Sequence, residues 1–165
     1  MLFSNKIVIR LLTLIAIFLL ISCGVRLQDK DTIKLSARLV RVVSGQTIEV
    51  RIPQQDNFYY RVRIIGINVP KIEDKTLSKT LATQAKTELE ELLTDNAISL
   101  ELETDKTDRY NRVLAHVWQN NLLISEQLAR KGFVLSDTKY PHKYSDRIFY
   151  AQEYARILNY GIWQN

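Results

Sequence analysis

Residues 38–52, RLVRVVSGQTIEVRI, and residues 58–70, FYYRVRIIGINVP, decide the fold of this 165-residue chain. Apolar and polar residues alternate in both stretches, as they do in half-buried β-strands. Each stretch contains a short segment rich in turn residues, 44–47 in the first and 66–70 in the second. We expect an antiparallel pair of such strands to bring both turn segments to one end of a sheet. Their polar residues are therefore the first candidates for a functional site.

The periodicity of the whole chain predicts five strands and three helices. The predicted strands are residues 34–43, 47–52, 58–67, 97–104 and 113–118, and the predicted helices are residues 80–93, 125–131 and 145–159. In the fourth strand, alternation predicts that Ile98, Leu100 and Leu102 face inward. In the second helix, Ser125 is the predicted N-cap and Gly132 the predicted stop. Five strands with a helix between the third and fourth are typical of an OB-type barrel. The predicted fold is thus α+β: a five-stranded OB-fold β-barrel with three helices.

The composition is that of an ordinary globular protein. Hydrophobic residues make up 46 % and charged residues 25 % of the chain, which excludes an intrinsically disordered protein. The formal net charge is +5, a mildly basic balance that suits an anionic partner without requiring one. The length predicts one domain plus an N-terminal extra segment, and we expect a monomer.

The first residues predict an export signal. Lys6 and Arg10 precede an uncharged run at residues 11–21, which is too short to span a bilayer but suits a secretory signal. Residues 20–23, Leu-Ile-Ser-Cys, resemble the bacterial lipobox, which implies cleavage before Cys23 and acylation of its thiol. We therefore expect a lipoprotein signal peptide at 1–22, a tether at 23–33 and the folded domain at 34–165. The expected location is the bacterial cell envelope, with the protein held on a membrane through Cys23. The alternative is a plain signal peptide or membrane anchor with an incidental cysteine.

Five short motifs in a fixed order carry a family resemblance. They are VVSGQTI at 42–48, VRIIGINVPK at 62–71, DRYNR at 108–112, LARKG at 128–132 and GIW at 161–163. In this order they resemble the staphylococcal nuclease (thermonuclease) family over residues 35–163. The resemblance implies the same barrel fold and a domain that hydrolyses phosphodiesters with Ca²⁺.

The resemblance assigns roles to individual residues. Its two arginines, which stabilise charge on the phosphate, fall on Arg63 and Arg112. Its nucleotide contacts fall on Arg109 and Tyr110. Tyr140 is a further candidate for ligand contact, because exposed tyrosines can stack on bases.

The metal-binding and general-base carboxylates of the family pattern are replaced here. Ser44, Gln46, Asn68 and the carbonyl of Val69 occupy the metal positions, and Lys71 occupies the position of the catalytic glutamate. Neutral oxygens hold Ca²⁺ far more weakly than carboxylates do, so we expect no metal and no other cofactor. Lys71 instead becomes a candidate phosphate ligand. Glu73 and Asp74 follow in the same loop and are alternatives for the missing glutamate.

Three functions remain open from the sequence. The first is a degenerate nuclease, inactive or weakly active, that binds nucleic acid or another phosphorylated ligand at a membrane. The second is an active metal-dependent endonuclease with an atypical site. The third is a structural or partner-binding lipoprotein. Neither histidine is expected to bind metal: His116 lies in a predicted strand and His142 in a loop.

Overall fold

A computed structural model describes residues 34–53 and 58–164 of the chain. The predicted signal peptide, the lipidated Cys23 and the tether lie outside these residues, as does most of the predicted hairpin loop at 53–57. Within the described ranges, none of the helices combines the length and the apolar character that a bilayer crossing requires.

Eight strands and three α-helices make up the described part of the domain. In chain order they are β1 (Lys34–Ser44), β2 (Thr47–Arg51), β3 (Tyr59–Ile64), β4 (Ile67–Asn68), α1 (Lys75–Leu92), β5 (Ala97–Thr107), β6 (Val113–Gln119), β7 (Leu122–Leu123), α2 (Ile124–Arg130), β8 (Leu135–Ser136) and α3 (Ser145–Ile157), followed by a 3₁₀ turn at Gly161–Trp163.

Five of these strands close into a barrel. The order β3-β2-β1-β5-β6 is antiparallel throughout, and a parallel pairing of β3 with β6 closes the ring. The short strand β7 extends the edge beyond β6, while β4 and β8 form a separate two-stranded sheet. The predicted five-stranded OB-type barrel with three helices is confirmed. Closure leaves few unpaired strand edges, which is the usual way a small β-protein avoids edge-to-edge association.

The barrel interior is filled by the apolar half of each strand's alternation. Fully buried side chains from the barrel strands are Ile48, Val50, Val62, Ile64, Leu100, Ala115 and Val117. The helices α1 and α2 cover the barrel, and α3 packs against α2. Because of the same alternation, the polar residues next to these in sequence point away from the barrel interior. The polar side chains of β2 and β3 therefore lie on the outer face of the barrel.

The helix α1 begins five residues earlier than predicted. Its first turn, from Lys75, has Leu77 as its one apolar residue and shows no apolar period, so the sequence pattern misses it. The start is set by Asp74, whose carboxylate accepts hydrogen bonds from the backbone N–H groups of Thr76 and Leu77 at 2.8 and 2.9 Å. Within the predicted part of the helix, Ala85 and Leu89 are fully buried.

The turn between β1 and β2 lies against α1. A Cβ on Gly45 would come within 2.5 Å of the Ala85 Cβ, so only glycine allows this close approach. The contact fixes the turn, and with it Ser44 and Gln46, relative to the barrel end.

Two further predictions are corrected by the structure. The helix α2 is preceded by Leu123 rather than capped by Ser125, whose hydroxyl is buried inside the helix. Leu102 is 40 % exposed, whereas Glu101 is 2 % exposed. The register of β5 against β6 shifts after Leu102, and Tyr144 at the start of α3 donates a hydrogen bond to Glu101 on the outer face of β5. The predicted stop at Gly132 is confirmed, since this residue has φ +78°.

Candidate phosphate-binding site

Arg63 is anchored in the turn that follows β3. Its guanidinium donates hydrogen bonds to the carbonyl oxygens of Ile64 and Ile67 at 2.5 and 2.6 Å and to Asn68 Oδ1 at 2.9 Å. A guanidinium has five N–H donors, so these three bonds leave two donors for another acceptor. The side chain is thus held by the protein and still able to bind an oxyanion.

Arg112 is held in a similar way by the loop between β5 and β6. Its Nε and Nη2 donate to Asp108 Oδ2 at 2.9 and 2.6 Å, and its Nη1 donates to Thr47 Oγ1 at 3.1 Å. The other carboxylate oxygen of Asp108 accepts from the backbone N–H groups of Tyr110 and Arg112. Burial alone would raise the pKa of Asp108, but the hydrogen bonds from Arg112 and Tyr110 outweigh it and lower the pKa. The carboxylate braces its loop, and Arg112 too keeps two N–H donors.

Thr47 joins the two arginines into one site. It is paired with Arg63 across β2 and β3, and its hydroxyl accepts the hydrogen bond from Arg112. The pKa of Arg63 is lowered to about 10, first by burial and then by the positive charge of Arg112, while Asp137 and Asp108 oppose the shift. Arg63 stays charged at neutral pH, and an anion placed between the two guanidinium groups would relieve their repulsion.

The two amides that the resemblance assigns to metal positions are already engaged. Gln46 Oε1 accepts from the backbone N–H of Val69 at 2.9 Å, and Asn68 Oδ1 accepts from Arg63. These neutral oxygens fasten the turns on either side of the site. They form no carboxylate set for a hard divalent cation, which prefers several oxygen ligands with negative charge. Within the described ranges, no three His, Cys, Asp or Glu residues are grouped so that they could hold a metal ion. The residues present therefore do not fit Ca²⁺.

The remaining residues of the two turns have distinct positions. Ser44 pairs with Thr47 where β1 turns into β2. Lys71 is exposed in the loop after β4. Of the two alternative acids, Asp74 caps α1 and Glu73 is exposed. The cap uses one Asp74 oxygen for two backbone donors, so that residue serves the helix rather than the site.

The predicted base-stacking residues lie on the surface. Tyr110 and Tyr140 are each 64 % exposed. The guanidinium carbons of Arg109 and Arg112 lie 4.9 and 5.4 Å from the Tyr110 ring centroid, so this ring adjoins the arginine pair. Tyr140 instead contacts Lys139, whose Nζ is 5.4 Å from its ring centroid. The structure thus brings Tyr110 and Arg109 to the site by direct contact.

Thr47 belongs to the candidate turn segment 44–47, but the sequence gives it no separate role. Asp137 is the residue of this site that sequence reasoning misses. Asp137 directly follows β8, and its backbone N–H donates to the carbonyl of Gly66 at 2.8 Å. Its negative charge acts on Arg63. No motif marks Asp137, because the pairing of β4 with β8 places it there.

A second polar cluster lies between the outer face of β5 and β6 and the start of α3. Glu101 accepts from Tyr144 Oη at 2.8 Å and from Trp118 Nε1 at 3.1 Å, and Lys143 Nζ is 3.5 Å away. We call these four residues the glutamate cluster. The neighbouring His116 is 1 % exposed.

Comparison with known proteins agrees with the fold and the order of the motifs. The family model "Staphylococcal nuclease homologue" matches residues 61–165. The thermonuclease of Staphylococcus hyicus is 31 % identical over 146 residues, covering 87 % of this chain and 82 % of that protein. The thermonuclease of Staphylococcus intermedius is 30 % identical over 126 residues, covering 75 % of this chain and 73 % of that protein. An uncharacterized 38.1 kDa protein of Capnoides sempervirens is 27 % identical over 123 residues, covering 74 % of this chain and 32 % of its own length.

Proposed function

The chain belongs to the staphylococcal nuclease family, and we propose that its domain binds phosphate groups of nucleic acid with little or no hydrolysis. The binding groups are Arg63 and Arg112, with Tyr110 and Arg109 beside them. The domain works without Ca²⁺ and is held on a membrane of the bacterial cell envelope through an acylated Cys23.

One observation carries the binding part of this proposal. The Arg112 guanidinium donates to the hydroxyl of Thr47, which pairs with Arg63 across β2 and β3. Each guanidinium keeps two N–H donors after the protein has used three. Phosphate oxygens accept such paired donors well, because the hydrogen bonds are charge-assisted and can be bidentate. A rigid pair of donors also loses little side-chain entropy when the ligand arrives.

The lack of hydrolysis follows from the groups around this pair. Deprotonating a water needs a base within hydrogen-bond reach and with a suitable pKa. Lys71, at the family's glutamate position, is a cation and cannot serve as a base in its charged form. Asp108, which is paired with Arg112, has a lowered pKa and both of its oxygens engaged. Its basicity is therefore reduced.

Titration with a nucleoside bisphosphate tests the binding. We expect Arg63→Ala or Arg112→Ala in the full chain to weaken binding about tenfold or more, because each removes charged hydrogen bonds worth about 1.5–3 kcal/mol. Isothermal calorimetry in non-ionic detergent with EDTA measures this. Arg61→Ala is the matched control, since it removes the same charge two residues away on an exposed part of β3.

The decisive contrary result is binding that survives both arginine substitutions together. That result would exclude a phosphate site at this arginine pair and would favour the third function, a structural or partner-binding lipoprotein. Circular dichroism of each variant is needed beside the titration, because Arg63→Ala also removes donors from the carbonyl oxygens of Ile64 and Ile67. Arg63→Lys keeps the charge but loses the paired donors, and it should bind with intermediate affinity.

The alternative function is an active, metal-dependent nuclease with an atypical site. The observation in its favour is Asp137, a carboxylate whose charge reaches Arg63. Degradation of plasmid DNA and of RNA, with Ca²⁺, Mg²⁺ or Mn²⁺ and without metal, separates this alternative from the main proposal. Cleavage that disappears in both Arg63→Ala and Asp137→Asn would establish the alternative.

A further inference from the structure

The outer face of β1, β2 and β3 carries arginines well beyond the Arg63–Arg112 pair. The strand register places these residues in three successive cross-strand rows: Ser44, Thr47 and Arg63 at the site; then Arg41, Glu49 and Arg61; then Arg38, Arg51 and Tyr59. The rows therefore lead away from the site along the barrel wall. We call Arg38, Arg41, Arg51 and Arg61 the arginine track.

Side-chain contacts show that these residues share one face. Arg41 Nη2 lies 2.6 Å from Glu49 Oε2 in the middle row, and Arg51 Nη2 donates to Tyr59 Oη at 2.7 Å in the last row. The residues between them in sequence, such as Val50 and Val62, are buried in the core. With strict alternation, Arg38 and Arg41 would lie on opposite faces of β1, because they are three residues apart. A bulge between Leu39 and Arg41 adds one residue and places both arginines on the outer face.

The charge on this face is one-sided. Four arginines stand against a single described acid, Glu49, whose side chain is 16 % exposed. In the described part of the chain, no hydrogen bond or ion pair is found for the guanidinium groups of Arg38 and Arg61, and both residues are exposed. Two of the four arginines are thus available to an anionic partner without breaking any contact.

We propose that the arginine track binds a single strand of nucleic acid that continues from the phosphate held by Arg63 and Arg112. This rests on the proposed phosphate binding at that pair. Successive rows are two residues apart, or about 6.7 Å along a strand, which is comparable to the spacing of phosphates in an extended strand. The exposed ring of Tyr59 ends the track, and such a ring stacks on bases only when the bases are unpaired.

Fluorescence anisotropy with a labelled oligothymidylate of about 12 nucleotides tests the track, since one OB fold covers roughly 4–16. The full chain is used in non-ionic detergent with EDTA. We expect Arg38→Ser with Arg61→Ser to weaken oligonucleotide binding about tenfold at low salt. The slope of log affinity against log salt should become shallower by about 1.4, or about 0.7 for each lost phosphate contact. Affinity for the nucleoside bisphosphate should not change.

The matched control is Arg130→Ser with Arg156→Ser, which removes the same charge from exposed ion pairs on α2 and α3. Equal weakening in this control would overturn the track, because net charge alone would then explain the effect. Duplex DNA bound as tightly and with the same arginine dependence would overturn the preference for a single strand. Arginine-dependent binding to phosphatidylglycerol vesicles, without binding to the oligonucleotide, would replace nucleic acid by a lipid surface.

These outcomes separate the track from the site on which it rests. If the bisphosphate itself fails to bind, the proposed function fails. If the bisphosphate binds through Arg63 but affinity does not increase from bisphosphate to oligonucleotide, only the track fails.

Discussion

The phosphate site and the glutamate cluster are both polar groups embedded in the same barrel, but they balance charge in opposite ways. At Glu101, one carboxylate is met by Tyr144, Trp118 and Lys143. At Arg63, a guanidinium is met by two carbonyl oxygens and a neutral amide. The first group satisfies its charge within the protein, whereas the second keeps charge and free donors for a ligand.

This difference indicates which cluster serves stability and which serves binding. A buried carboxylate with several donors is costly to disturb, because its removal leaves those donors unpaired. A guanidinium held by neutral oxygens and facing another guanidinium stores repulsion that an anion can relieve. Three predictions test this division, beginning with the largest expected effect.

Loss of the Glu101 carboxylate should cost stability and leave binding intact. We expect Glu101→Ala to lower the free energy of unfolding by about 3 kcal/mol, because Tyr144 and Trp118 lose a buried acceptor. Urea denaturation followed by circular dichroism measures this. The control Glu90→Ala removes an exposed acid 3.7 Å from Lys86 and should cost less than about 0.5 kcal/mol. The division between stability and binding would be wrong if the two variants lost the same free energy of unfolding. It would also be wrong if folded Glu101→Ala bound the bisphosphate more weakly.

Carboxylates introduced at the phosphate site should balance its positive charge within the protein, as the charge of Glu101 is balanced in the glutamate cluster. We expect Ser44→Asp, Gln46→Asp, Asn68→Asp and Lys71→Glu together to gain Ca²⁺ affinity of about a hundredfold or more, because carboxylates set the strength of calcium sites. The same change should weaken bisphosphate binding without Ca²⁺, since an aspartate at 68 would pair with Arg63. Calorimetry with CaCl₂ measures the first effect.

Lys71→Glu alone is the control for that quadruple variant, because it changes the loop charge without supplying the other ligands. If the quadruple variant folds and binds no Ca²⁺, the assignment of the family's metal positions to these residues is wrong.

Acid should loosen the region beside the glutamate cluster before it affects the phosphate site. Burial, followed by the charges of His142 and Lys143, lowers the pKa of His116 to about 3, although Glu103 Oε1 lies 3.2 Å from its Nε2. The unfolded chain takes up this proton near its ordinary pKa of 6.5. Stability is therefore complete above pH 6.5 and falls as the pH drops towards 3, by up to about 1.4 kcal/mol per pH unit from this group.

Denaturation of the wild type and His116→Phe between pH 4.5 and 7.5 isolates that contribution. The variant should lose stability less steeply as the pH falls, because it has no imidazole to protonate on unfolding. The half-buried His142, whose pKa is also lowered by burial, is present in both proteins. Parallel pH profiles for the two proteins would exclude His116 as the acid-sensitive group.

The sequence alone determined the barrel, and its motifs predicted the roles of the two arginines and the replacement of the metal carboxylates. These features are local, because they follow from strand alternation and from short motifs whose residues lie near each other in the chain. The N-terminal export signal and the lipidated Cys23 are equally local patterns, and they stay predictions because they lie outside the described residues.

Only the tertiary structure decided how those residues are used. Strand alternation predicted that Leu102 would be inside and said nothing of Glu101, because it describes one face of a strand and not what covers the other. The start of α3 covers that face and buries Glu101. In the same way, Thr47 joins Arg63 to Arg112, and Asp137 approaches Arg63, through pairings between strands that are distant in sequence. Such contacts depend on how elements pack, which no local period encodes.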